Sequence, residues 1–140
     1  MLITQKIKYA IRAVFEIAKS QHQGPVKVAR IAESQKIPVR FLEVILNRLK
    51  HSGIVNAKRG YHGGYTLARE PNQISVGDIL RHIESGNNSL LCISCIEKND
   101  CELKGDCAFL PMWEKAQRSM LDVFEQTSIQ NLVDQETSRM

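Results

Sequence analysis

The sequence predicts a mainly α-helical chain with one small β-hairpin, and three observations carry that prediction. Apolar residues recur at helical spacing in three consecutive segments before Gly53. The period then changes to strand-like alternation on either side of a basic, glycine-rich tip at 58–64, and a long helical stripe of large apolar residues runs over 109–124. Together these describe a winged helix-turn-helix followed by a long C-terminal dimerisation helix. At 140 residues, with 43% hydrophobic and 24% charged residues, the chain has material for one core and too little length for two large domains.

The first helix is read from Ile7, Ala10, Ile11, Val14, Ile17 and Ala18, with Lys6, Lys8, Arg12, Glu16 and Lys19 on the opposite face. It stops at Gly24-Pro25. Val28, Ile31 and Ala32 mark a short second helix that ends before Ile37-Pro38, because the residue before a proline is pushed out of helical geometry. A third begins near Pro38, where proline is tolerated, carries its apolar stripe on Phe41, Leu42, Ile45, Leu46 and Leu49, and stops at Gly53. Ile54-Val55-Asn56-Ala57 and Tyr65-Thr66-Leu67-Ala68 read as the strands of the wing. Ser75-Val76-Gly77-Asp78 resembles a capping box with Asp in place of Glu, opening a helix with Ile79, Leu80 and Ile83 on one face. Residues 86–107 show no period and read as a cysteine-rich loop. Beyond it Phe109, Leu110, Trp113, Ala116, Met120, Leu121 and Phe124 form a stripe apolar enough to be buried between two chains. The expected organisation is a DNA-binding unit at 1–70, a connecting helix at 71–85, the loop at 86–107, and a dimerisation helix with C-terminal tail at 108–140.

Charge divides the chain more sharply than composition does. Residues 1–70 hold 13 Lys and Arg against 4 Asp and Glu, a charge of +9, while residues 71–140 hold 6 against 11, a charge of −5. A basic half attracts phosphate backbones and speeds encounter with them. No apolar run reaches the roughly 18 residues a membrane helix needs, and the first residues lack a signal-peptide pattern, so a cytoplasmic protein without a membrane partner is expected.

A winged helix-turn-helix lays its second helix in the major groove and reaches along the backbone or into the minor groove with the wing. On the third predicted helix Arg40, Glu43, Asn47 and Lys50 lie opposite the apolar stripe. Glu43 is able to accept from a cytosine amino group, and Arg40 to donate to guanine or phosphate. At the wing, Lys58 and Arg59 supply charge suited to a narrow minor groove, and Gly60, Gly63 and Gly64 let the backbone approach phosphates. The plain alternative, a solvated helix face and a surface hairpin, leaves the +9 unexplained. The tip lacks the Gly-Lys-Ser/Thr ending of a nucleotide loop and sits between strands, which excludes that function. The expected partner is double-stranded DNA, and nothing suggests an enzyme.

All four cysteines fall between 92 and 107: Cys92, Cys95, Cys101 and Cys107, separated by two, five and five residues. Soft thiolates at this spacing suit an iron-sulfur cluster, a structural zinc or redox thiols, and spacing does not choose among them. His22, His51, His62 and His82 are scattered and read as surface residues.

Leu2-Ile3-Thr4 with Tyr9-Ala10, Val28-Ala29-Arg30-Ile31-Ala32, Phe41-Leu42-Glu43, Leu46-Asn47-Arg48-Leu49-Lys50, Gly53-Ile54-Val55 and Arg59-Gly60-Tyr61-His62-Gly63-Gly64-Tyr65, with the cysteine loop, resemble the bacterial IscR/NsrR-type winged-helix regulators. The resemblance extends to about Val133. It implies a homodimeric regulator that pairs through the helix around 109–124 and whose operator affinity is controlled by an iron-sulfur cluster, 2Fe-2S ahead of 4Fe-4S. Carried over by position, Cys95, Cys101 and Cys107 match three cluster ligands, Glu43 a base-reading glutamate and Arg59 a minor-groove arginine. The fourth ligand does not carry over, because the position of one branch's histidine is Leu110 here and that of the other's carboxylate is Lys8. Cys92, in a Cys-x-x-Cys pair with Cys95, is the expected substitute.

Overall fold

The structure is a computed structural model that describes residues 3–83 and 107–140. Helix α1 (Gln5–Lys19) runs through its centre. Thr4 caps it, its hydroxyl accepting the Ile7 N–H at 3.4 Å, and Ile7, Ala10, Val14 and Ile17 are wholly buried. Full burial of each large aliphatic side chain contributes roughly 1.5–3 kcal/mol. Two helices pack across it, α2 (Val28–Gln35) and α3 (Val39–His51), through Ile31, Leu42, Ile45, Leu46 and Leu49. Between them Lys36 adopts a left-handed conformation (φ 54°) and donates its N–H to a carbonyl of the last turn of α2, that of Ala32. Ile37 drops into the core, and Pro38 opens α3.

Two side chains differ from the periodic reading. Glu16, assigned to the polar face of α1, is 5% exposed, because the Gln35 amide at the end of α2 donates to its Oε2 at 2.7 Å and Lys19 lies beside it. Phe41, assigned to the apolar stripe of α3, is 59% exposed, since α3 buries a narrower arc centred on Leu42 and Leu49.

The hairpin forms one residue later than its apolar pattern suggests at its first strand and one earlier at its second, as β1 (Val55–Lys58) and β2 (Gly64–Leu67). The strands are antiparallel, with Val55 opposite Leu67 and Lys58 opposite Gly64. Val26, just before α2, adds a single-residue third rung through two hydrogen bonds with Tyr65, of 2.9 and 2.8 Å. This anchors the root of the wing to the helix-turn-helix.

Helix α4 (Val76–Ile83) starts on a reciprocal box: Asp78 Oδ2 accepts the Ser75 N–H and Ser75 Oγ accepts the Asp78 N–H, each at 3.0 Å. Helix α5 (Leu110–Gln126) packs on α4 through Met120, Leu121 and Phe124. The residues after it, expected as a tail, form a further helix, α6 (Ile129–Arg139), capped by Ser128 and packed against α1. Ile129 is fully buried. The junction is fastened at one place: Val76 N–H donates to Thr127 O at 2.9 Å and Ile129 N–H to Ile74 O at 2.8 Å. Among the described residues no helix is long and apolar enough to cross a membrane.

Candidate nucleic-acid interface

The core sits on one side of α3, and the polar stripe on the other is free of it. Arg40, Glu43, Asn47 and Lys50 are all exposed, at steps of three, four and three residues that keep them along one face. Arg48, between them in sequence, is spent elsewhere: its guanidinium donates to the Ile83 carbonyl at the end of α4 and so fixes α3 to α4. Among the described residues no polar group holds the side chains of Arg40, Glu43 or Asn47. The arrangement presents a carboxylate acceptor at Glu43, an amide that both donates and accepts at Asn47, and cationic donors at Arg40 and Lys50.

The wing brings the second set of predicted residues to a neighbouring position. Lys58, in the last strand pair, and Arg59, just beyond it, are exposed, and the tip closes with Gly63 N–H donating to Gly60 O at 3.0 Å. The glycines do different jobs. Gly60, at φ 106° with open space around it, leaves backbone accessible to a phosphate. Gly63 is buried, and a Cβ there would lie 2.2 Å from the Lys58 carbonyl oxygen; one on Gly64 would lie 2.6 Å from that of Val26. Those two are required by the tightness of the hairpin itself. Tyr61, which the sequence reading did not single out, projects from the tip at 85% exposure, edge-on to His62 and beneath the Lys27 ammonium, 5.2 Å from its ring centroid. Its Arg-Gly-Tyr-His context was the available signal. All four histidines are exposed, as expected.

Of the predicted metal ligands, Cys92, Cys95 and Cys101 lie outside the described residues. Cys107 is half-buried, and its carbonyl accepts the Leu110 N–H at 3.3 Å where α5 begins. Lys8 is exposed on α1. Among the described residues no three His, Cys, Asp or Glu side chains converge on a metal position.

Charged side chains tie the helices to one another. The Arg12 guanidinium donates to the Gln35 carbonyl, joining α1 to α2, and Lys19 bridges α1 to Glu136 of α6 at 3.0 Å. The hydrogen bond to Glu136 holds the Lys19 ammonium above its ordinary pKa of 10.5. Arg81 of α4 pairs with Glu125 of α5 and with Asp78. Burial pushes the Asp78 carboxyl up, but the Ser75 backbone N–H, Arg81 and the Ser75 hydroxyl outweigh it and bring Asp78 below its ordinary 3.8.

Comparison with known proteins points the same way. The Rrf2 family, described as an iron-dependent transcriptional regulator, matches residues 3–135. The HTH-type transcriptional regulator IscR of Erwinia tasmaniensis is 30% identical over 134 residues, covering 96% of this chain and 79% of the relative. Among solved structures, T. potens IscR superposes with a TM-score of 0.79 at 31% identity, covering all of this chain and 92% of that one. CymR, the global cysteine regulator of B. subtilis, does so with 0.81 at 27% identity, covering 96% and 97%. The winged-helix fold expected from the sequence is thereby shown.

Proposed function

The chain belongs to the Rrf2 family of transcriptional regulators, and from that premise we propose that it is a cytoplasmic homodimer whose operator affinity is set by an iron-sulfur cluster in the 92–107 loop. Relatives in this family are transcriptional regulators and not enzymes, and DNA binding follows from membership. The observation that carries the placement of the DNA is the exposed face of α3, Arg40, Glu43, Asn47 and Lys50, beside Lys58, Arg59 and Gly60 of the wing. In this reading α3 enters the major groove, Glu43 reads a cytosine, Arg40 and Lys50 neutralise phosphate or reach guanine, and Arg59 enters the minor groove. The exposed half of α5 is the dimer helix.

For the cluster, Cys95, Cys101 and Cys107 would supply three thiolates and Cys92 the fourth, a two-iron form ahead of a four-iron one. The donor set fits, since thiolate is the soft ligand iron-sulfur centres take, and Cys107 is half-buried rather than sealed in the core. Once bound, such a group would supply redox and nitric-oxide reactivity. The chain's own contribution is mechanical. Cys107 stands three residues before α5, and the far end of α5 is fastened to α4 by the 74–76 and 127–129 hydrogen bonds and by Arg81–Glu125. Tension or slack at 107 therefore reaches the winged helix through a stiff rod pinned at its other end.

Anaerobic purification with iron and acid-labile sulfide analysis tests this. A coloured protein with about one mole of sulfide per mole of iron is expected. A colourless protein holding zinc would replace the sensor with a structural site on the same cysteines.

A further inference from the structure

Val39 is the first residue of α3 and is 46% exposed, an aliphatic side chain beside the polar face of Arg40, Glu43, Asn47 and Lys50. A single exposed apolar residue says little by itself. Val39 differs by its place. It lies apart from the groove that Phe41, Val44 and Ile45 form with α1, on the other flank of α3. It stands four residues before Glu43, so the two side chains are neighbours along one edge of the helix. Its backbone is held from the start of the helix: Ile37 is buried, and the Pro38 carbonyl accepts the N–H of Phe41 at 3.1 Å and that of Leu42 at 3.0 Å. Branching at Cβ restricts a helical valine to one dominant rotamer, so the two methyl groups are presented at a fixed point.

We propose that Val39 packs on the C5 methyl group of a thymine in the major groove, so that α3 selects a T·A pair close to the cytosine that Glu43 reads. This rests on the entry of α3 into the major groove and adds a second base pair to what the helix selects. A recognition helix meets base edges with its N-terminal residues, and Val39 is the first of them here. The thymine methyl is the one methyl group that the four base pairs present in the major groove, and apolar side chains are its partners. A valine side chain has no donor or acceptor for any other edge. Set against a cytosine amino group or a guanine carbonyl, it would strip water from a polar group and give nothing back, so the same residue that favours T·A also disfavours G·C. The position of the thymine follows from helix geometry. Four residues advance about 6 Å along a helix axis, close to two steps of ~3.4 Å along a DNA strand. The thymine therefore falls within two base pairs of the Glu43 cytosine, once in each half-site of a homodimer.

The test uses the full-length, anaerobically purified protein and a duplex that it has selected in vitro from random sequences. Each thymine in turn is replaced by deoxyuridine, which removes the methyl group and leaves every hydrogen-bonding group in place. Affinity is read by fluorescence anisotropy for wild type, Val39→Ala and Glu43→Ala. Wild type should lose about fourfold at one thymine per half-site, the effect of one buried methyl-sized group. That thymine should lie within two pairs of the cytosine whose replacement Glu43→Ala no longer feels. Val39→Ala should bind the unmodified duplex about fourfold more weakly and be indifferent to deoxyuridine at that thymine. Its salt slope should match that of wild type, because no phosphate contact is lost. Alanine is the better helix former, so the variant keeps its fold. A deoxyuridine profile that is the same in wild type and Val39→Ala, or a selected duplex without a methyl-sensitive thymine, overturns the thymine contact while leaving base reading by Glu43 standing. A wild type that selects no sequence over random duplex overturns the entry of α3 into the major groove itself.

Discussion

Glu43 and Arg59 occupy different places on the proposed DNA-facing surface and should fail differently when replaced. Arg59, exposed at the wing, contributes charge, so Arg59→Ala should weaken binding to all duplexes and reduce the salt slope of log K by about one. Glu43, on the exposed face of α3, selects among bases, so Glu43→Ala should shift base preference more than overall affinity; equal losses on selected and random duplexes would contradict base reading. Cys92→Ala, if Cys92 is the fourth ligand, should change the visible spectrum and shorten cluster lifetime on anaerobic reconstitution. The exposure of both residues was legible in the sequence, because Glu43 needs only its helix face to be known and Arg59 only its place in the hairpin tip. Phe41 and Glu16 were misplaced for the reverse reason: each lies at the border of an amphipathic arc, where the partner element decides burial, and Gln35 decides it for Glu16.

At the scale of elements, helices α1 to α4 were readable from period and caps, and the reciprocal bonds of Ser75 and Asp78 reproduce the predicted box. Asp78→Ala should therefore cost about 1 kcal/mol of stability. Because the folded carboxyl titrates below its ordinary value, that contribution is complete above about pH 4 and is lost as pH falls through the lowered folded pKa. The melting-temperature gap between wild type and Asp78→Ala should thus close in acid. Helix α6 escaped notice because its apolar stripe is thin: Ile129, Leu132 and Val133 sit among polar residues, and its place is set by the distant partners Ile74 and α1. The joint between α4 and α5 was equally invisible. Gly77 leaves room beside it for the Glu125 carboxylate, which a Cβ at 77 would push aside. Gly77→Val should displace the Glu125 carboxylate from Arg81 and lower the melting temperature only slightly, as Glu125→Gln should.

Across the described residues the charge division in the sequence is carried into space only in part. Arg40, Lys50, Lys58 and Arg59 are exposed on α3 and the wing, while α5 and α6 carry five acidic residues against three basic ones and return to α1 through Lys19–Glu136 and to α4 through Arg81–Glu125. That return is what lets one chain combine a DNA-binding unit with a projecting helix whose root is fixed and whose tip begins at Cys107. The most direct measurement is anaerobic titration of one selected operator duplex with cluster-loaded and metal-stripped protein, followed by fluorescence anisotropy at fixed salt. A difference in affinity of about tenfold or more between the two forms, corresponding to roughly 1.4 kcal/mol of coupling, is predicted. Equal affinity of both forms for the same operator would contradict the account.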